Sequence, residues 1–159
     1  MYQLEVKANL VAAAFPPSKG WTVCVDIDAM ERCNGGIHPA GKLERVVAAE
    51  DRLKTLGARI GVHRDFGRAD VVAIHPEHGT VVVEVEGSSS RQREQAMYSA
   101  LGQTVLMMRE AETPLAYALA VPDESDWERQ LRKIPQHIAT LLNLRLYLVS
   151  ELGVREVRR

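Results

Sequence analysis

Residues 81–86 constrain the fold more than any other part of the chain. This segment is built from four valines and from Glu84 and Glu86. Valine favours β-strands, and side chains in a strand alternate between two faces. Three valines therefore share one face, and Glu84 and Glu86 share the other with Val82. If this strand is central, its carboxylates are costly unless they find a partner, and a bound cation is one. The alternative is an edge strand with ordinary surface acids.

Asp70 lies at the start of the preceding predicted strand, residues 69–74. A turn with proline and glycine at 75–79 predicts that this strand forms a hairpin with the strand at 80–86. Because paired strands lie about 4.8 Å apart, we expect Asp70 and Glu84 to meet at one end of the sheet. Carboxylate oxygens of this kind suit Mg²⁺ or Mn²⁺.

The remaining segments predict a mixed sheet flanked by helices, a single α/β domain over 1–159. Helices are expected over 40–56, 90–109 and 126–142, the last interrupted by Pro135. Ser89 and Gln92 have the spacing of a capping box at the start of the second helix. Further strands are expected over 2–11, 21–28, 59–63, 115–121, 144–149 and 153–157.

Two of the predicted helices carry polar residues that could lie beside the acidic site of Asp70 and Glu84. In the second helix, Gln92, Gln95, Ser99 and Gln103 fall in one narrow stripe, which predicts an amide surface able to bind water or phosphate. The alternative is an ordinary polar surface. In the first helix, Glu50 lies near the apolar stripe, so it either pairs with a residue such as Lys54 or points toward the acidic site.

Other motifs are weaker. Asp26 and Asp28 lie on one face of a strand, but no third carboxylate is placed beside them, so the pair is interpreted as a strand end. His75 and His78 flank a proline in a turn without a nearby cysteine, which disfavours zinc. The only two cysteines are interpreted as reduced thiols.

Composition narrows the class of protein. The chain has 159 residues, of which 46% are hydrophobic, enough to form a packed core. No basic leader and no apolar run of membrane-spanning length is present, so a soluble cytoplasmic protein without a membrane partner is expected. The net charge is −1, which argues against a constitutive nucleic-acid coat. From Arg129 onward seven basic and two acidic residues give a basic tail, either a phosphate contact or a solvated end.

These residues together resemble the PD-(D/E)XK nuclease-like superfamily, which includes restriction enzymes and Holliday junction resolvases. The matching segments are Gly41 to Val47 with Glu44, Gly67 to Ala73 with Asp70, Glu84 to Gly87, and Gln95 to Gln103. The resemblance spans residues 41–149. It implies an αβββαβ core over 41–159 and an N-terminal β extension over 1–40.

The resemblance also implies roles for individual residues. Glu44, Asp70 and Glu84 would be metal ligands for Mg²⁺ or Mn²⁺, with the Val85 carbonyl contributing. Catalysis would fall to Asp70, Glu84, Glu86 and Gln103. Substrate contacts would come from Arg68, Ser88, Gln95 and Gln103. Glu86 stands where the family usually has lysine. A glutamate there would orient or deprotonate the attacking water, or hold a second cation, but it supplies no positive charge.

The resemblance implies a metal-dependent endonuclease or related phosphodiesterase that acts on nucleic acid, with DNA as the expected substrate. A homodimer is compatible with it, because many such nucleases act as dimers. The missing lysine and the near-neutral charge support a second hypothesis. In that hypothesis the fold is catalytically inactive and serves as a nucleic-acid or protein binding module.

Overall fold

The structure is a computed structural model that describes residues 1–34, 37–88, 92–111 and 113–157. Within these ranges five α-helices and seven β-strands follow one another. The helices are α1 (Gln3–Ala14), α2 (Lys42–Thr55), α3 (Arg93–Met107), α4 (Ser125–Leu131) and α5 (Gln136–Leu141). The strands are β1 (Thr22–Val25), β2 (Arg59–Ile60), β3 (Val71–His75), β4 (Gly79–Val85), β5 (Leu115–Pro122), β6 (Leu144–Ser150) and β7 (Gly153–Glu156).

The strands form one mixed sheet in the order β2-β1-β3-β4-β5-β6-β7. β3 is antiparallel to both of its neighbours, β1 and β4, whereas β4, β5 and β6 are parallel to one another. Two apolar layers cover the sheet: α1 and α2 pack on one face, and α3, α4 and α5 on the other. The predicted mixed sheet flanked by helices is confirmed.

β4 lies in the middle of this sheet and is buried on both faces. Val81, Val83 and Val85 belong to the layer beneath α1, while Val82 belongs to the layer beneath α3. The predicted alternation is therefore confirmed. Glu84 and Glu86 lie on the same face as Val82, because alternate residues of a strand share a face. Two carboxylates therefore lie at the end of a buried central strand.

The N-terminal segment is a helix, so the prediction of a strand over 2–11 is wrong. Leu4, Val6, Ala8 and Leu10 alternate in the sequence, which imitates a strand, but nearly every position from 4 to 11 is buried inside the protein. A helix buried all round has no polar face to reveal its period. The Glu5 carboxylate accepts a hydrogen bond from the Tyr2 amide at 2.7 Å and caps the helix start.

The N-terminal segment is also not a β extension. α1 and β1 pack into the same core as β3 and β4, and α2 with β2 forms the insertion between β1 and β3. The element order αβββαβ is therefore met by α1, β1, β3, β4, α3 and β5. The first 40 residues thus contribute a buried helix and one strand to the shared core.

The other predicted elements agree closely with the structure. α2 ends just before Gly57, whose φ of +90° is the left-handed conformation that favours glycine after a helix. Pro135 separates α4 from α5 and stands at the N-cap of α5. α3 begins after Gln92, and the predicted capping residue Ser89 lies outside the described residues.

The role of α1 in the core gives a direct prediction. Leu10 is fully buried in α1, whereas Leu152 is fully exposed in the β6–β7 turn. We expect Leu10→Ala to lower the free energy of unfolding by about 2–5 kcal/mol, because it leaves a cavity in the core. The matched control Leu152→Ala is expected to change it by less than about 0.5 kcal/mol. Urea denaturation measures both, and equal small losses would contradict a core role for α1.

Candidate active site

Asp70 and Glu84 face each other at one end of the sheet. Val71 of β3 pairs with Val83 of β4, so the next pair outward is Asp70 opposite Glu84. The Val85 amide donates a hydrogen bond to Asp70 Oδ2 at 2.8 Å, and the two carboxyl groups share a hydrogen bond of their own. The predicted meeting of these two side chains is confirmed.

A cavity of about 550 Å³ opens over this end of the sheet. Glu86 and Gln103 line it beside Asp70 and Glu84, and Arg68 stands at its edge with 72% of its side chain exposed. Phe66, Leu106 and Met107 form an apolar wall. The cavity thus combines carboxylates from two strands with an amide and an apolar surface from α3.

Three further carboxylates, from Asp26, Asp28 and Glu31, line the same cavity. The sequence placed no third carboxylate beside Asp26 and Asp28, but the fold does: the Asp26 amide donates to the Asp70 carbonyl at 3.0 Å, continuing the β1–β3 ladder. The turn after β1 then brings in Glu31, whose amide donates to Asp28 Oδ1 at 2.8 Å. The pairing of β1 with β3 was the missing information.

Lys7 of α1 supplies a buried positive charge that the sequence did not reveal. Its side chain is 1% exposed, and its ammonium lies 2.7 Å from Asp70 Oδ1 and 2.7 Å from Glu31 Oε1. It also donates to the Asp26 carbonyl at 2.7 Å. Burial lowers the pKa of Lys7, but the two carboxylates outweigh burial and raise it above its ordinary value. Lys7 is therefore charged at neutral pH.

The start of α1 is held against the end of β4, which explains how Lys7 reaches the site. The Ser88 amide donates to the Met1 carbonyl at 2.8 Å, and the Met1 ammonium donates to Ser88 Oγ at 2.9 Å. A Cβ on Gly87 would lie only 2.4 Å from the Gln3 nitrogen. Glycine at 87 is thus required for the helix to approach this closely.

One ammonium does not neutralise this many carboxylates. Burial, the proximity of the Asp70 carboxylate and a hydrogen bond that protonated Glu84 donates to it raise the pKa of Glu84 to about 8. Burial, Asp70 and Glu31 raise the pKa of Glu86 to about 7. Burial also raises the pKa of Glu31 to about 7, against the opposing effect of Lys7. Near neutral pH the site therefore holds protons that a cation can replace.

The structure does not bring every predicted residue to this cavity. Glu44 is exposed on α2 and does not line the cavity, so it is not placed with Asp70 and Glu84. Ser88 and Gln95 line a second cavity of about 760 Å³ between α3 and α4, beside Arg93. The amide stripe of α3 is thus divided, with Gln103 at the first cavity and Gln95 at the second.

The remaining candidates have structural partners. Glu50 pairs with Arg32 and Lys54 at 3.0 Å each, so the expected pairing with Lys54 is confirmed. His75 and His78 stack on each other with ring centroids 4.4 Å apart, and both contact Trp21 at the opposite end of β3. Both cysteines are free thiols.

The donor set fits a magnesium-like ion in its chemistry. Across the described ranges, no three carboxylate, imidazole or thiol side chains converge as a ready-made metal group. Mg²⁺, however, usually takes one or two protein carboxylates and keeps several waters. Asp70 and Glu84 offer two adjacent carboxyl groups, and burial together with the nearby Asp70 charge raises the pKa of Glu84. A divalent cation would relieve this charge.

The Lys7 network gives a stability prediction. Lys7→Met leaves Asp70 and Glu31 buried without their cation, so we expect a loss of about 3–5 kcal/mol at neutral pH. The loss should shrink at acidic pH, where Glu31 is protonated. Lys54→Met is the matched control, since Lys54 is an exposed partner of Glu50 and its loss should have a much smaller effect. Equal losses for the two variants in urea denaturation would contradict the network.

The raised pKa of Glu84 predicts how stability depends on pH. A carboxyl group whose pKa rises from 4.5 unfolded to about 8 folded stabilises the protein fully below pH 4.5, and this contribution is lost as pH rises toward 8. Glu84→Gln mimics the protonated group. We expect it to become more stable relative to wild type as pH rises across this range, in melts recorded without divalent cations. Glu77→Gln, an exposed control on the β3–β4 turn, should show no such trend.

Comparison with known proteins adds no name to this site. No protein-family model, curated protein or solved structure matches the chain. None of the helices within the described ranges has the length and the apolar run that crossing a bilayer requires. The functional argument therefore depends on the cavity residues themselves.

Proposed function

We propose that the protein is a metal-dependent phosphodiesterase of the PD-(D/E)XK type that cuts nucleic acid, with DNA as the expected substrate. The observation that carries this proposal is the meeting of Asp70 and Glu84 from adjacent strands, with Glu86 beside them in an open cavity. Carboxylates on neighbouring strand ends are an arrangement that holds a catalytic cation against a phosphate.

The order of elements supports the same proposal. α1, β1, β3, β4, α3 and β5 follow the αβββαβ pattern once the α2–β2 insertion is left out, with Asp70 just before the second of these strands and Glu84 near the end of the third. The element order and the position of these two carboxylates thus both support the proposal. This agreement includes the N-terminal helix, which carries Lys7 into the site.

Asp70 and Glu84 are the residues proposed to hold Mg²⁺ or Mn²⁺, with the Val85 carbonyl as a further oxygen donor. When bound, such an ion polarises a phosphate and lowers the pKa of a bound water. Lys7 holds Asp70 in place through its 2.7 Å ion pair, and Gln3 donates to Asp70 Oδ2 at 3.4 Å. Both contacts orient the carboxylate from the side of α1.

Lys7 also provides the positive charge that Glu86 does not. We propose that the ammonium on α1 takes over the electrostatic part of the lysine usually found at the position of Glu86. Glu86 then has a different role. Its pKa of about 7 suits a group that accepts a proton from an attacking water at neutral pH, since a general base works best near the operating pH.

The alternative is a binding module without catalysis, and one observation favours it. Lys7 already pairs with Asp70 and Glu31, so part of the acidic cluster is neutralised by the protein itself. In that case the site would be a structural network, and added metal would find no vacant carboxylate pair. Metal binding therefore separates the two functions.

We expect purified protein with Mg²⁺ or Mn²⁺ to cut at least one of supercoiled, linear, branched and single-stranded DNA. Glu84→Gln should lower the rate by more than about 100-fold, since even supporting residues of a metal site cost 10–100-fold. The control Glu77→Gln should cut like wild type, because it lies at the far end of β3 and β4. Absence of cutting on every substrate at high protein concentration would contradict the nuclease proposal.

The same preparation tests metal binding by thermal melts. An ion at 100 times its Kd stabilises a protein by about 2.7 kcal/mol. The shift should be larger near pH 8 than near pH 6, because binding displaces protons from Glu84 and Glu86. Asp70→Asn should lose the shift while Glu77→Gln keeps it. A folded wild-type protein with no shift at either pH would favour the binding module.

A further inference from the structure

A third, smaller cavity adjoins the active-site cavity on the side of α1 and α2. It measures about 200 Å³, and Gln3, Asp28 and Glu31 stand in the walls of both cavities. The two cavities adjoin at these residues, and together they are called the channel here. Tyr2 and Lys42 line its far end, opposite Phe66 and Arg68 at the near end.

Each end of this channel combines an aromatic ring with a cation. At the near end, Phe66 stands in an apolar wall with Leu106, and the Arg109 guanidinium lies 3.9 Å from the Phe66 ring centroid. At the far end, the Lys42 ammonium lies 5.5 Å from the centre of the Tyr2 ring. The acidic floor with Asp70 and Glu84 lies between the two ends.

The cations at the two ends differ in how firmly they are held. Arg45, which also lies over Tyr2, is bound through two nitrogens to Glu5 at 2.8 Å. The Lys42 ammonium lies 3.5 Å from His38 Nδ1 and over the Tyr2 ring. Arg68 contacts Asp26 at 3.3 Å but is 72% exposed. Lys42 and Arg68 are therefore held less firmly than Arg45 and can turn toward a phosphate.

From this arrangement we infer that the channel binds a single nucleic-acid strand, which passes from Phe66 and Arg68 over the acidic floor to Tyr2 and Lys42. Single strands are held by cations along the backbone and by aromatic rings on which unpaired bases stack. In a duplex the base faces are covered by their neighbours, so exposing one requires it to be unpaired and unstacked first. The inference rests on the proposed nuclease function and specifies its substrate class.

The test measures binding by fluorescence anisotropy, in Mg²⁺ and in EDTA. The probes are a labelled phosphorothioate single strand, as DNA and as RNA, and a duplex of the same length. We expect the single strand to bind at least about fivefold more tightly than the duplex. Binding should be lost in EDTA, because the carboxylate floor repels phosphate when no cation neutralises it.

Variants at the two ends identify the channel. Tyr2→Leu and Phe66→Leu should each weaken single-strand binding about fivefold or more, whereas Tyr2→Phe keeps the ring and the affinity. Lys42→Gln and Arg68→Gln should each reduce the slope of log affinity against log salt by about 0.7. Lys54→Gln, an exposed cation at the end of α2, is the control and should leave the slope unchanged. Melts verify that each variant is folded.

Two results separate this inference from the function on which it rests. If wild type cuts and binds duplex as well as single strands, or if the end variants behave like Lys54→Gln, the single-strand channel is overturned and the nuclease stands. If wild type neither binds nor cuts any nucleic acid, the proposed nuclease function is overturned as well.

Discussion

The buried ammonium of Lys7 is the interaction on which the geometry of the site depends. It joins α1 to the Asp26 carbonyl just after β1, to Glu31 in the turn that follows β1, and to Asp70 just before β3. Each of these contacts is within 2.9 Å. A charge at 1% exposure is tolerated only with partners of this quality. Because the partners belong to separate segments, the same contact fixes the relative positions of a helix, two strands and a loop.

The position of β4 in the sheet is the second constraint on the site. β4 is central and buried on both faces, so Glu84 near its end is buried and Glu86 just after it is half-buried. Their raised pKa values follow from that position and from the carboxylates of the adjacent strand. A protein stabilised only by apolar packing has no need of such groups. Carboxyl groups with raised pKa values that line a cavity are characteristic of functional sites.

Several features were predictable because they depend on neighbouring residues alone. The alternation of 81–86 predicts which side chains share a face, and the short turn at 75–79 predicts the hairpin that joins Asp70 to Glu84. Pro135 predicts the break between α4 and α5. The helix α1 was not predictable in the same way, since a helix buried on all sides loses the polar stripe by which its period is recognised.

The sequence by itself determined the strand pair and the two carboxylates that form the floor of the site. Only the tertiary structure decided what surrounds them. Lys7 lies 63 residues before Asp70 in the chain, and Glu31 lies 39 before it. Their contacts follow from the packing of α1 and from the pairing of β1 beside β3. The Glu44 position was decided in the same way: α2 packs against α1 and leaves Glu44 exposed, away from Asp70 and Glu84. Local pattern fixes which face a side chain takes, but long-range packing fixes which other charges it meets.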